Sequence, residues 1–187
     1  IPSIRKVRRF AEPARDDAWG GSDFTFGDVT LRKPKHDNHE LLGKTKFAGC
    51  LGVMKDVKRN KYTQNAKIEA DCSVDGKEVY KLKSTANTAN WWYDHRISLI
   101  DAKTFADYRT EYFKGGKHIK TIDRSWVSAN LDDPRASYWG YWYGKTNTTG
   151  HETMAFIPST ITKVNHKYKA KNLWSTRTLK KMPKKIK

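Results

Sequence analysis

The sequence predicts a mainly β protein: one large, curved antiparallel sheet with little helix. Three observations predict it. From residue 66 onward, short runs in which apolar and polar residues alternate follow one another without a break. Turn signals separate them, at Asp75-Gly76, Ala102-Lys103-Thr104, Gly115-Gly116 and "LDDPR". No convincing amphipathic helix and no strand–helix–strand alternation is visible, which argues against a parallel α/β fold.

Taken in order, residues 1–22 are basic and then loop-like, with Pro13 and Gly20-Gly21 breaking any regular element. "DFTFGDVTL" alternates Phe24, Phe26 and Val29 with polar neighbours and reads as an opening strand. "KPKHDNHE" reads as a polar connector, and "HELLGKTKFAGCLGVMKD" fits no single periodicity. "AKIEADCSV", "DGK" and "EVYKLKS" read as strand, tight turn and strand. Further strands follow at "WWYDHRISLID", "FADYRTEYF", "KHIKTIDRSWVSA", "SYWGYWYGKT", "ETMAFIPSTITKV" and "NLWSTRTL". The expected organisation is a basic arm over 1–22, a single β domain over 23–180 with 43–72 as an insertion, and a basic tail over 181–187.

The 187 residues carry 37 Lys and Arg against 20 Asp and Glu, a net charge of +17, and mean hydropathy is −0.85. That sign favours anionic partners, and the basic ends supply the candidate contacts: Arg5, Lys6, Arg8, Arg9, Lys180, Lys181, Lys184 and Lys185. An anionic membrane surface or an acidic protein suits them. Nucleic acid is disfavoured, because no RNA-binding sheet motif occurs. No apolar run approaches the ~20 residues of a membrane-spanning helix. "IPSIRKVRRF" lacks the apolar centre of a signal peptide, and the chain opens on Ile rather than Met, so an upstream stretch is expected.

Motifs of enzymes are missing. There is no nucleophile elbow, glycine-rich phosphate loop or zinc motif, so no catalytic residue and no cofactor is expected. His36 and His39, with Glu40 beside them, have a spacing that serves a metal on a helix, but Pro34 and polar neighbours suggest a loop, and no metal is expected. Asp107, Arg109 and Glu111 share one strand face at alternate positions and read as a solvated row. Cys50 and Cys72 suit no metal or redox motif. In an oxidising compartment they close a loop of roughly 20 residues, and in a reducing one they are two small buried thiols.

"YWGYWYG" places Tyr138, Gly140 and Trp142 on one strand face and Trp139, Tyr141 and Tyr143 on the other. Two aromatic faces mean that something covers the second one, either the chain's own helix or long loop, or a ligand or another protein's surface. Trp139, Tyr141 and Tyr143 are the candidate interface.

The order of these elements resembles the outer-membrane lipoprotein-sorting proteins, the LolA/LolB-like periplasmic carriers, and in particular the branch linked to export systems of the resistance-nodulation-division type. The likeness rests on "GSDFTFGDV", "VDGKEVYKLKS", "YDHRISLIDAKTFADYRTEYFKGGKHIKTI" and "NLWSTRTLKK". The family's motif positions fall on Gly21, Asp23, Phe24, Asp75, Gly76, Tyr80, Asp101, Thr104, Glu111, Tyr112, Gly116, Lys117 and Lys120. The resemblance implies an incomplete, half-open β-barrel around an apolar concave face, in a non-catalytic periplasmic protein that holds a lipid or a lipoprotein's acyl chain. It also implies a transporter of that export type, or another envelope protein, as a partner. On that face Tyr80, Leu82, Ile97, Leu99, Tyr108, Tyr112, Trp142 and Phe156 are expected to line the cavity. The alternative is a structural subunit of a larger envelope assembly that uses the same fold and an aromatic interface.

Overall fold

Among the described residues, seven strands follow one another in both sequence and space. The computed structural model describes residues 15–30, 32–59, 61, 64 and 68–164. The strands are β1 (Asp37–Lys46), β2 (Glu78–Ala86), β3 (His95–Asp101), β4 (Asp107–Lys114), β5 (Lys117–Ser128), β6 (Ser137–Thr146) and β7 (Glu152–Phe156). Among the described residues every pairing is antiparallel, in the order β1-β2-β3-β4-β5-β6-β7, so these strands form a meander that does not close into a barrel. The basic residues Arg5, Lys6, Arg8, Arg9, Lys180, Lys181, Lys184 and Lys185, and the strand expected at 172–179, lie outside the described residues.

Four local readings are corrected. The partner of β2 is 37–46, not 66–74: the Asp75-Gly76 turn is present, with Gly76 at φ +72°, but it leads back to Phe47 and β1. The connector "KPKHDNHE" therefore contains the start of an edge strand. Such a strand carries polar residues on both faces, and β1 is blunted further by a bulge at Gly43. "DFTFGDVTL" is no strand but a single helical turn, α1 (Phe26–Val29), closed by a capping box between Thr25 and Asp28. The strand expected from Trp91 begins at His95, and that expected from 152 to 164 ends at Phe156, two residues before Pro158.

The motif positions mostly hold turns. Asp101 Oδ1 accepts the backbone N–H of Lys103 (2.9 Å) and Thr104 (2.7 Å), and Oδ2 accepts the Tyr108 hydroxyl at 2.8 Å. These bonds close the β3–β4 turn. Gly115 and Gly116, both at positive φ, close the β4–β5 turn.

Candidate functional site

Register decides what each face of the sheet presents. Residues directly opposite one another share a face, and one face carries Leu41, Tyr80, Leu82, Ile100, Tyr112, Lys120, Ile122, Arg124 and Trp142. The other carries Val79, Ile97, Leu99, Arg109, Asp123, Tyr141, Tyr143 and Phe156. These are called the Tyr112 face and the Tyr143 face.

The Tyr143 face is covered by described residues of the chain's own 47–59 and 68–74 stretches. Phe47, Leu51 and Val74 bury themselves against Val79, Tyr108, Tyr141 and Tyr143, with Leu99, Met154 and Phe156 packed around them. Both stretches are tied down. The Cys50–Cys72 disulfide is formed, the Gly52 N–H donates to Asp123 Oδ2 at 2.6 Å, and Ser125 Oγ donates to Asp71 Oδ2 at 2.7 Å. Asp123, itself buried, holds Arg109 in a two-pronged ion pair at 2.7 and 2.8 Å. Burial pushes the Tyr141 hydroxyl up to about 12. Tyr143 is raised for the same reason, and because it donates to Glu152.

The Tyr112 face is half covered. Over β4–β6 lie Phe24 and the loop Trp91-Trp92-Tyr93. Trp92 stacks on Tyr112 at 4.9 Å, Tyr93 meets it edge-on at 5.2 Å, and Phe24 meets Trp142 edge-on at 5.7 Å. Cations are threaded through these rings. Lys120 lies 4.0 Å over Trp92 and pairs with Asp28, and burial depresses its ammonium despite that partner. Arg124 lies 4.4 Å over Trp142 and pairs with Asp107 at 2.9 Å. Arg32 and Arg96 share the buried Asp37. Tyr112 is raised well above the ordinary phenol value by burial.

Over β1–β3 the same face is only partly covered, with Ser84 and Ser98 buried but an apolar strip beside them partly exposed. Leu41 is 61% exposed, and Tyr80, Leu82 and Ile100 are half-buried. Phe105, 61% exposed, stacks parallel to Tyr80 with ring centres 6.4 Å apart. Phe105 stands at φ +61°, a backbone conformation that is an outlier for a bulky residue. Lys44 sits 5.1 Å from the Tyr80 ring centre and pairs with Glu78 at the rim.

The eight residues expected to line one cavity are thus divided. Tyr80, Leu82, Tyr112 and Trp142 are on the Tyr112 face, while Ile97, Leu99 and Phe156 are on the other. Leu99 opposes Lys81 rather than Tyr80, because the β2–β3 register is offset by one residue from the expected one. Tyr108 is the extra residue of a β-bulge, since Leu99 pairs with Arg109 and Ile100 with Asp107, and its ring joins Phe47 on the Tyr143 face. The same bulge turns Asp107 away from the Arg109–Glu111 row towards Arg124. Of the residues expected at a protein interface, Tyr141 and Tyr143 are buried under the chain's own 47–59 and 68–74 stretches. A second bulge, with Gly140 as its extra residue, sets Trp139 against Trp142 instead, 5.4 Å away. His39 bonds Ser84 and the Pro34 carbonyl through its two ring nitrogens, and no metal-holding cluster occurs among the described residues. Sequence reading passed over Leu41, Ile100 and Phe105, the open half of the strip. The alternation of β1 was obscure, and an exposed Phe at a turn has no periodicity to reveal it.

Comparison with known proteins agrees on architecture. A family model described only as "Uncharacterized protein" matches residues 1–53, and no curated protein matches the chain. Among solved structures, an outer-membrane lipoprotein-sorting protein domain from Vibrio parahaemolyticus superposes with a TM-score of 0.64 over 96% of this chain, at 16% identity. A DUF1329 family protein from Desulfovibrio piger gives 0.58 over 82%, at 14% identity. A LolA-superfamily protein from Nitrosomonas europaea gives 0.50 over 80%, also at 14%. The fold is LolA-like. The chain spans 63%, 53% and 60% of the lengths of those three LolA-like and related chains, respectively.

Proposed function

We propose that the protein is a non-catalytic binding protein of the bacterial periplasm that takes a lipid, or the acyl chain of a lipoprotein, on the partly exposed half of the Tyr112 face. The observation that carries this reading is the strip Leu41–Leu82–Tyr80–Ile100–Phe105, which is apolar, contiguous across three strands and exposed at Leu41 and Phe105 on a LolA-like sheet. Each methylene moved from water onto such a surface gains about 0.8 kcal/mol, so a chain binds there without dedicated polar contacts. A partly exposed apolar strip of this kind is the mark of a binding surface. Anionic headgroups suit a chain of net charge +17, and an export-system transporter or another envelope protein is the natural donor or acceptor of the cargo.

Titration with the fluorescent fatty acid cis-parinaric acid tests this. Phe105→Gly removes the ring and suits the positive φ, so the fold tolerates it. Combined with Leu41→Ser, it should weaken saturable binding by at least roughly tenfold, about 1.4 kcal/mol. Equal binding by the double variant would remove the strip as the site.

A further inference from the structure

We propose that the chain taken on the apolar strip ends in a free carboxylate and that Arg96 receives it, which makes the ligand a fatty acid rather than an esterified lipid. This rests on the acyl-chain reading of the strip and narrows it.

Polarity on the Tyr112 face changes in one direction along β2 and β3. The opposed pairs are Tyr80 and Ile100, then Leu82 and Ser98, then Ser84 and Arg96. Two apolar side chains give way to one beside a hydroxyl, and then to a hydroxyl beside a guanidinium. The stretch from Tyr80 to Ser84 spans about 13 Å of strand. A ligand lying along that line meets apolar surface with its tail and a cation with its head. Ser84 and Ser98 do not compete for the head, because each hydroxyl has a partner, His39 Nδ1 at 3.0 Å and Thr110 Oγ1 at 3.4 Å.

The head end has a cation to spare. Asp37 is matched by Arg32 in a two-pronged pair at 3.0 and 2.8 Å, and Arg32 also donates to the His36 carbonyl at 2.9 Å. Arg96 brings a second guanidinium to the same carboxylate through a bond of 3.2 Å. These three groups sum to +1. The side chains of Arg32 and Asp37 are almost wholly buried, whereas that of Arg96 stays 22% exposed. The Arg96 Nε–H finds no acceptor among the described residues, a rare condition for a buried donor and the mark of a missing partner. A carboxylate supplies one negative charge and two acceptors that match the planar guanidinium fork. A phosphate monoester would bring more charge than the cluster lacks, and an acyl ester would leave the cation unmatched.

Titration of the full chain with cis-parinaric acid and with its methyl ester, at about pH 8 where the acid is ionised, tests the head site. The ester is the more apolar probe, so burial alone favours it. The acid should nevertheless bind roughly tenfold more tightly, the worth of one hydrogen bond to a charged group. Arg96→Gln should bring the two probes to equal affinity, and Arg96→Lys, which keeps the charge but not the fork, should retain part of the preference. Equal binding of acid and ester by the unaltered chain would overturn the carboxylate site and leave the strip standing, as would a preference that survives Arg96→Gln in full. Binding of neither probe would overturn the strip and the site together.

Discussion

Gly52 shows how closely single residues are fitted. A Cβ at this position would stand 2.3 Å from Cε1 of Tyr143, so Gly52→Ala must displace a buried ring or the strap that covers it. Overpacking of this kind costs about 1–3 kcal/mol. Chemical denaturation should show that loss, whereas Gly49→Ala, with nothing within 4 Å but a φ of +78°, should lose stability only through backbone strain. Asp23 carries a second residue-scale consequence. It is buried, which by itself would raise its pKa, but donation from Thr146, Thr153 and His151 outweighs burial and holds the carboxyl below its ordinary value of 3.8. Asp71 and Asp101 are lowered in the same way. The unfolded chain therefore takes up these protons at a higher pH than the fold does. Their stabilisation is complete above the ordinary carboxylate value and is lost as pH falls through the lowered native ones. Melting temperature should accordingly fall steeply in acid, and Asp23→Asn should flatten that slope. An unchanged slope would show that the Asp23 network contributes nothing.

At the scale of elements, the 47–74 strap stands on one face and the cover formed by α1 with the loop Trp91–Tyr93 on the other, and each is secured differently. The strap is held by a disulfide across a sequence separation of 22 residues. Replacing Cys50 and Cys72 by Ser should cost about 3 kcal/mol in denaturant stability, while leaving the sheet intact. What was legible in the sequence follows the physics of these elements. Strands β2 to β7 alternate because one or both faces are buried, and their turns carry Gly or Asp-capped motifs, so the meander could be read directly. β1 could not, because an edge strand with Leu41 and Leu42 both exposed has no dry face to report. The Thr25–Asp28 capping box was present in the sequence, but the Phe24–Phe26 alternation masked it. Face assignments failed at Ile97 and Leu99 because the β2–β3 register is offset by one residue, and elsewhere where a bulge intervened, since one extra residue at Tyr108 or Gly140 inverts everything beyond it and leaves no mark in local composition.

For the whole molecule, the two faces divide the labour. The Tyr143 face is a closed core, the Tyr112 face is closed over β4–β6 by rings and paired cations, and the partly exposed apolar strip over β1–β3 is the surface proposed above for an acyl chain. The measurement that tests this most directly is native mass spectrometry of the full chain produced in a bacterial periplasm and purified without detergent, followed by organic extraction. A discrete added mass that partitions into solvent and resolves as an acyl lipid, and that is lost in the Leu41→Ser, Phe105→Gly double variant, is the predicted result. A bare chain with no extractable lipid, or a chain found only in fixed stoichiometry with another polypeptide, would contradict the account.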